Sequence, residues 1–522
     1  MGGHLAPETV VAPAGGSGQR FTDRSVVMVL LGGGGRQVLA ALIGFVTFPL
    51  ITRLLEADEF GAWSVIGQAS FVIGLADLGL TLAVQRAAVS GDGQYARRMV
   101  GLALMVNAVL LPLLASIAFF AIGLLPEVAE GVKSQLGPAS AVALCGGVVG
   151  GLCGPLRGFV FARGGASRIA TARVLGSAAY LTGAAGAFVL RLGLLAPALG
   201  LLMGQGVELL MTARAARALD PGMALRPRWP GDRAEVRRAF FDGAAGATIS
   251  VASTLQTGID TFVLSAFVPL HVVGGYRIGL RAPELGYLLA KQVTSPLMPQ
   301  LGSPEQRTRT ARVGTGLFGG LIVSLMAPLA LCAQPLLVLW LGDKAAGSVP
   351  ATALMLMAFA AMVQSIYDVV GSMVMLGART AWSGAIPVLV GTAANLAVSL
   401  GGVRRFGVWA VAGSTPIGYL VTATLVWMAA RRLCGWSGAY VRMLLAPPFG
   451  AALASIGVSL ALRGFAHGGV LPSLLSCVAG SLAGVVAASV LLRLALHGAR
   501  AHERDCSAMP EPRVSHCPES AR

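Results

Sequence analysis

The chain of 522 residues is rich in hydrophobic residues and poor in charge. Hydrophobic residues make up 55% of it and charged residues 12%, and its mean hydropathy is +0.75. A typical soluble domain contains about 25% charged residues, so this composition cannot cover the surface of a water-soluble protein. It excludes a soluble enzyme of this size. The 70 glycines favour a membrane protein, because small residues let membrane helices pack closely.

Fourteen apolar stretches are long enough to cross a bilayer, which needs about 20 helical residues. In chain order they are 27–51, 62–84, 100–123, 139–161, 169–190, 194–213, 240–265, 272–300, 314–340, 351–376, 381–400, 407–429, 443–462 and 470–492. The sequence therefore predicts an all-α polytopic membrane protein with about 14 transmembrane helices.

The basic residues test this span count, because they concentrate on the cytoplasmic side of membrane proteins. With the N-terminus placed inside, 26 of the 39 basic residues fall in cytoplasmic segments, seven in outer loops and six within spans. This bias supports the count and predicts that both termini are cytoplasmic.

The net charge of +16 does not indicate a nucleic-acid partner. The largest basic segment, around 214–238, contains seven arginines, but it also contains three prolines and no recognisable binding motif. A linker that touches anionic lipid headgroups explains it more simply. The seven cysteines and six histidines match no metal-ligand spacing, so we expect neither a metal nor a cofactor.

The same basic segment divides the first twelve spans into two similar halves. Gly61 aligns with Gly274 and Trp63 with Tyr276 at an offset of 213, which is also the offset between the starts of spans one and seven. Six spans return the chain to the same side, so two six-helix lobes have one orientation, as in transporters built from parallel repeats. The predicted organisation is a flexible cytoplasmic N-terminus (1–24), an N-terminal lobe (25–213), an Arg-rich linker (214–239), a C-terminal lobe (240–430), two additional helices (431–495) and a disordered cytoplasmic tail (496–522).

Three segments carry a family resemblance. They are FPLITRLLEADEFGAW (48–63), LADLGL (75–80) and IDTFVLSAFVPLHVVGGYRIGLRAPEL (259–285). They resemble the lipid-linked oligosaccharide flippases, the polysaccharide-biosynthesis branch of the MOP exporter superfamily, which is related to the multidrug MATE exporters and the lipid II flippase. The resemblance implies a MATE-like fold of twelve to fourteen helices in two lobes that moves undecaprenyl-pyrophosphate-linked glycans by alternating access.

The same resemblance implies a place in the bacterial inner (cytoplasmic) membrane and a role in surface polysaccharide synthesis. The expected partners are a lipid-linked anionic glycan, the lipid bilayer, and a glycan polymerase or export machinery.

Span eight contains four charged residues, Arg277, Arg281, Glu284 and Lys291. At 100° per residue they fall within about 80° of one another around a helix. Each charge facing lipid costs about 2.5–3.5 kcal/mol, so the four must face a polar cavity or one another. We favour a cavity that binds a pyrophosphate headgroup, because arginine pairs with phosphate through two parallel hydrogen bonds. The alternative is that Arg281 and Glu284, three residues apart, neutralise each other structurally.

Arg36 in span one and Asp77 in span two form a second candidate feature. Each lies about 10–14 Å from the inner end of its span, so an ion pair between neighbouring helices is plausible. Such a pair can fix helix packing or gate the substrate, and both interpretations remain open. Arg36 therefore joins the three basic residues of span eight as a substrate-binding candidate.

Five carboxylates are candidates for coupling or gating. Burial favours the protonated form of a carboxylate, so each can carry a proton or a cation. They are Asp77, Glu208, Asp260, Glu284 and Asp368. For Asp260, near the outer end of span seven, a structural cap remains an equal alternative.

The main alternative to a flippase is a MATE-type cation-coupled multidrug exporter. Its site is expected to be acidic or aromatic, whereas span eight is net cationic and favours an anionic substrate. A membrane enzyme is expected to hold its acid/base residues in a large polar loop. No predicted outer loop exceeds about 15 residues, and all six histidines lie outside the spans. We therefore predict a transporter without catalytic residues. A scaffold without transport activity would not explain the four charged residues of span eight.

Overall fold

The computed structural model describes residues 35–75, 79–89, 92–125, 129–223, 226–227, 233–294, 310–342, 347–377, 382–465 and 470–508. Over these ranges the chain forms sixteen α-helices and no strand. The helices are α1 Gly35–Leu54, α2 Ala57–Leu75, α3 Leu80–Val89, α4 Gly93–Gly123, α5 Glu130–Ala162, α6 Ala166–Val189, α7 Leu195–Leu219, α8 Arg233–Phe267, α9 Leu270–Thr294, α10 Thr310–Leu331 (with a π-helical turn at Thr315–Gly319), α11 Ala333–Leu341, α12 Ser348–Gly377, α13 Trp382–Phe406, α14 Val408–Cys434, α15 Gly438–Phe465 and α16 Val470–Ala508.

Within the described ranges, nine helices are long and apolar enough to cross a bilayer: α4, α5, α7, α10 and α12 to α16. Shorter apolar segments lie in α1 (Leu42–Leu54) and α8 (Gly258–Phe267). Each of the fourteen predicted spans overlaps a described helix, which confirms an all-α polytopic membrane protein. Fourteen crossings stays a prediction.

Apolar side chains on the outside of the bundle support a lipid environment. Val109, Leu113, Ile117 and Phe120 follow one another along one face of α4, and all four are exposed. A soluble monomer rarely exposes a continuous apolar face of this kind, whereas lipid tails cover it without cost.

Two predicted spans, 62–84 and 314–340, are wrong as single helices. The first is divided between α2 and α3, where Gly79 has a φ of 71°. This left-handed conformation ends an α-helix, and glycine adopts it easily. The second is divided between α10 and α11, because Pro335 in the first turn of α11 has no N–H to donate to the carbonyl of Leu331.

Helices also extend into two segments predicted to lie outside the membrane spans, the linker and the C-terminal tail. Both α7 and α8 run into the predicted linker 214–239, and the end of α7 (212–219) consists largely of alanine, arginine and leucine, which favour helix. The last helix continues to Ala508, inside the tail 496–522 that was predicted to be disordered.

The packing of α9 places its side chains between two groups of helices, here called the N-terminal half (α1–α7) and the C-terminal half (α8–α14). Within its own half α9 packs against α12, and it also packs against α1 and α2 of the N-terminal half. Residues on α9 can therefore contact both halves.

Candidate functional site

The charged residues of α9 form one cluster around Glu284. Arg277 Nη1 donates to Glu284 Oε1 at 3.2 Å, and Arg281 Nη1 donates to Oε2 at 3.4 Å. Their separations of three and seven residues place both arginines on the same helix face as the glutamate. Glu284 therefore binds both arginines and not Arg281 alone. Two guanidinium groups share one carboxylate, so the cluster keeps a net positive charge.

Arg281 extends from this cluster to the N-terminal half. Its guanidinium carbon lies 5.6 Å from the centre of the Phe48 ring in α1, within the range of a cation–π interaction. A Cβ atom at Gly44 of α1 would lie 3.8 Å from Nη2 of the same guanidinium. Its buried Nε has no hydrogen-bond partner among the described residues. The cationic group thus lies between the halves with one donor still available.

Aromatic side chains join the two halves on the predicted outer side of Arg281. The rings of Phe45 in α1 and Trp340 in α11 stack with their centres 4.4 Å apart, and Phe48 packs on Trp340 at 5.5 Å. Arg53 Nη2 donates to the Trp340 carbonyl at 3.2 Å. These contacts hold α1 of the N-terminal half and α11 of the C-terminal half together on the predicted outer side of the Arg281 cluster.

Asp260 of α8 is fully buried between hydroxyl groups. Tyr276 Oη donates to Asp260 Oδ2 at 2.8 Å, and Thr415 Oγ1 of α14 donates to the same oxygen at 2.6 Å. The other carboxylate oxygen, Oδ1, is buried without a hydrogen-bond partner among the described residues. Asp260 therefore joins α8, α9 and α14, and it retains one oxygen that can accept a proton or a cation.

Three of the predicted carboxylates lie on helices of the C-terminal half, Asp260 on α8, Glu284 on α9 and Asp368 on α12. The ring of Tyr419 in α14 lies 6.2 Å from that of Tyr367, the residue before Asp368, and Thr415, which binds Asp260, precedes Tyr419 by one turn. Asp368 in α12 also has a buried oxygen, Oδ2, with no hydrogen-bond partner in the described ranges. The structure thus gathers these three candidates within the C-terminal half, although they are distant in sequence.

Glu208 of α7 lies elsewhere, among the helices of the N-terminal half. It is 8% exposed and contacts Arg157 of α5 and Arg173 of α6. Sequence reasoning assigned no role to either arginine, because both lie close to span ends, where basic residues usually serve orientation. Their only sequence signal is that each lies inside a predicted span, 139–161 and 169–190.

The remaining predicted site residues are only partly described. Arg36 Nη1 donates to Thr171 Oγ1 at 3.0 Å and to the Ser167 carbonyl at 3.3 Å, so it links α1 to α6. Asp77, its predicted partner, lies outside the described residues. Lys291 belongs to α9, but its side chain lies outside the described part of the structure.

The described residues offer no candidate metal site. These ranges contain no group of three or more His, Cys, Asp or Glu residues suited to a metal ion. The expected absence of a metal and of a cofactor stays a prediction.

The arrangement of helices is similar to that of solved membrane transporters. The chain is 12% identical to the lipid II flippase MurJ in its inward closed conformation, with 90% of this chain and 99% of that chain covered and a TM-score of 0.70. It is 17% identical to a mutant of the Vibrio cholerae MATE transporter VcmN, with 80% and 99% covered and a TM-score of 0.58. An outward-facing multidrug resistance MATE family transporter of the MOP superfamily gives 15% identity, 78% and 96% coverage and a TM-score of 0.57. The protein is therefore a polytopic membrane protein with the MurJ- and MATE-like fold.

The family follows from the sequence itself. The sequence model of the polysaccharide biosynthesis protein family matches residues 34–301, just over half of the chain. The chain belongs to this family, which confirms the resemblance to the polysaccharide-biosynthesis branch of the MOP superfamily. A comparison with curated proteins finds no match.

Proposed function

We propose that the protein flips a lipid-linked oligosaccharide across the bacterial inner membrane by alternating access. The cargo is an undecaprenyl-pyrophosphate-linked glycan destined for surface polysaccharide. The observation that carries this proposal is the net positive cluster of Arg277, Arg281 and Glu284 between the two halves. A planar guanidinium binds phosphate oxygens through two parallel hydrogen bonds, and exclusion of water strengthens that pairing. A pyrophosphate headgroup needs such a group to cross a medium of low dielectric constant.

The transport cycle follows from the position of this cluster. The lobes 25–213 and 240–430 would rock about Arg281, with the linker 214–239 connecting them and the helices of 431–495 attached to the second lobe. Release on the outer side requires the stacked rings of Phe45 and Trp340 to separate. Arg36 and Lys291 would bind the headgroup closer to the cytoplasm.

Asp260 is the coupling residue in this proposal. It is fully buried and has an oxygen without a hydrogen-bond partner in the described ranges, so binding a proton or a sodium ion would neutralise an otherwise costly charge. Asp368 of α12, which also has a buried oxygen without a hydrogen-bond partner in the described ranges, is the second candidate for this role. Glu284 and Glu208 are less suited, because each already contacts two arginines.

A deletion strain tests the cargo. It is complemented with the wild type, with Arg281→Ala, with Lys291→Ala, or with Arg168→Gln, a control at an exposed position of α6. We expect cytoplasm-facing lipid-linked glycan to accumulate with the first two variants and not with the control. Normal surface polysaccharide in the uncomplemented deletion strain contradicts a flippase.

A MATE-type multidrug exporter is the second candidate. The fold similarity to MATE transporters and the buried Asp260 favour it. It predicts that the deletion strain becomes sensitive to cationic drugs while its surface polysaccharide is unchanged. Accumulated lipid-linked glycan with unchanged drug sensitivity decides for the flippase.

The proposal also places both termini in the cytoplasm and a glycan polymerase or export machinery nearby. A fluorescent protein fused after residue 522 should fluoresce, and alkaline phosphatase fused there should be inactive, because each folds on one side of the inner membrane only. Active phosphatase contradicts this orientation. Cross-linking in cells that synthesise polysaccharide tests the partner.

A further inference from the structure

A second cluster of two arginines and one glutamate lies inside the N-terminal half. Arg157 Nη1 donates to Glu208 Oε1 at 3.2 Å, and Arg173 Nε lies 4.0 Å from the same oxygen. The three side chains come from α5, α6 and α7. One carboxylate therefore faces two guanidinium groups, and one positive charge is left without a counter-charge in the cluster.

Arg173 carries this surplus charge. It contacts Glu208 only at ion-pair distance and makes no hydrogen bond within the described residues, whereas Arg157 makes one. Its side chain is 41% exposed. A cationic group at membrane depth whose charge is not fully balanced is a functional candidate by default, because removing it from water is costly.

The exposed part of Arg173 does not face lipid. Ser167 at the start of α6 is exposed, and the other exposed positions form one stripe, consisting of Arg168, Leu175, Thr182, Gly186 and Val189. At 100° per residue these positions lie within about 40° of Leu175, while Arg173 lies about 160° from it. Arg173 therefore opens toward the inside of the protein.

The same inner face of α6 leads to the cluster on α9. Ser177 and Tyr180 follow Arg173 by one and two turns, and Tyr180 lies about 10 Å further along the helix axis. Helix α6 packs against α1, and Arg281 reaches α1 at the Phe48 ring. A ligand that leaves Arg173 along this face thus meets Arg281 next.

We propose that Arg173 and Arg157, balanced by Glu208, form a second anion site that receives a phosphate or pyrophosphate group before Arg281 does. Arg173 lies about 10 Å from the start of α6, the end predicted to face the cytoplasm. The site therefore loads the cargo on the side where lipid-linked glycans are assembled. This inference rests on the proposed function and divides its binding step into two positions.

Binding of two defined probes to the purified full-length protein tests the site. Farnesyl diphosphate represents a prenyl pyrophosphate headgroup, and inorganic pyrophosphate represents the free anion. By calorimetry we expect the wild type and the control Arg168→Gln to bind two equivalents of farnesyl diphosphate. Arg173→Gln and Arg281→Gln should each keep one site of wild-type affinity and bind about tenfold more weakly at the other site. If inorganic pyrophosphate binds more weakly than farnesyl diphosphate, the site takes a lipid headgroup. If the two probes bind equally well, the site takes a free anion.

Two further variants separate binding from folding. Arg173→Gln leaves Arg157 and Glu208 as a neutral pair, so the half is expected to fold. Glu208→Gln adds a second unbalanced charge and should tighten binding several-fold, a gain that a merely structural cluster would not give. Two equivalents of wild-type affinity in Arg173→Gln overturn the second site, whereas loss of binding only in Arg281→Gln overturns it and leaves the flippase intact. Failure of the wild type to bind either probe overturns both.

Discussion

Gly61 of α2 and Gly274 of α9 lie against each other across the boundary between the two halves. A Cβ atom at Gly274 would come within 3.2 Å of the Gly61 nitrogen. These glycines are also the aligned positions of the predicted internal repeat. Equivalent positions of two repeats touch only beside the axis that relates them, so the predicted repeat places its axis beside the crossing of α2 and α9.

Any side chain at position 61 should create a packing defect. A Cβ there would overlap the backbone carbonyl of Leu270, which cannot move without the helix. We expect Gly61→Ala to lower the free energy of unfolding by about 1–3 kcal/mol, as overpacking usually does. In the control Gly67→Ala, on the same helix, the new methyl lies 3.6 Å from the Trp63 ring, an ordinary contact. Thermal unfolding of the purified variants measures both, and equal melting temperatures contradict the close packing.

Removal of the shared carboxylate should destabilise the α9 cluster. Glu284→Gln leaves Arg277 and Arg281 without a counter-charge. A fully buried pair that loses one partner costs about 3–5 kcal/mol, and partial exposure of these side chains reduces the expected loss to about 2 kcal/mol. The double variant Glu284→Gln/Arg277→Gln restores the original net charge and should recover most of that loss. If the double variant is the less stable of the two, charge balance is not what Glu284 provides.

Two substitutions at Asp260 should separate its effect on stability from its effect on transport. Asp260→Asn keeps an acceptor for Tyr276 and Thr415, so its melting temperature should stay near that of the wild type while transport is lost. Asp260→Ala strands both buried hydroxyl groups and should cost about 1–3 kcal/mol. Thermal unfolding together with complementation of the deletion strain measures the two effects. Full transport by Asp260→Asn excludes this carboxylate from coupling.

A pH-dependent contact lies at the end of α7 that is predicted to face the cytoplasm, outside the predicted spans 100–123 and 194–213. Arg97 donates to both oxygens of Asp220, at 2.8 and 2.7 Å, and these hydrogen bonds lower the pKa of that carboxyl. Since the ionised form is favoured by folding, the stabilisation is complete above the unfolded pKa of about 4 and is lost as the pH falls through the folded value. Asp220→Asn should therefore melt lower than the wild type at pH 7.

That difference should shrink in acid and in concentrated salt, because screening weakens an exposed ion pair. Melting curves of the two proteins from pH 7 downward test it. A difference that stays constant through the acid range would show that Asp220 acts through packing alone. Lys133→Gln, which removes the exposed partner of Glu130 on the predicted outer side, serves as a control for general surface charge.

The fold class and the α9 cluster could be predicted because both depend on local spacing. Apolar runs of membrane length give helices wherever they occur, and residues three, four and seven apart meet on one face of any helix. For that reason Arg277, Arg281 and Glu284 were expected to lie together, and the structure places them in contact. The interruptions at Gly79 and Pro335 were missed, since apolar runs continue across both positions.

Contacts between helices were decided by the tertiary structure. Asp260 and Thr415 are 155 residues apart, and Arg157, Arg173 and Glu208 come from three helices. No spacing rule connects such positions, because helix rotation and neighbour choice follow from the packing of whole faces, including glycine contacts such as Gly61 with Gly274. By itself the sequence determined that a few charges must be buried in a helical membrane protein. The packed bundle decided which of them share a counter-charge, and therefore where a positive charge remains available for the proposed anionic cargo.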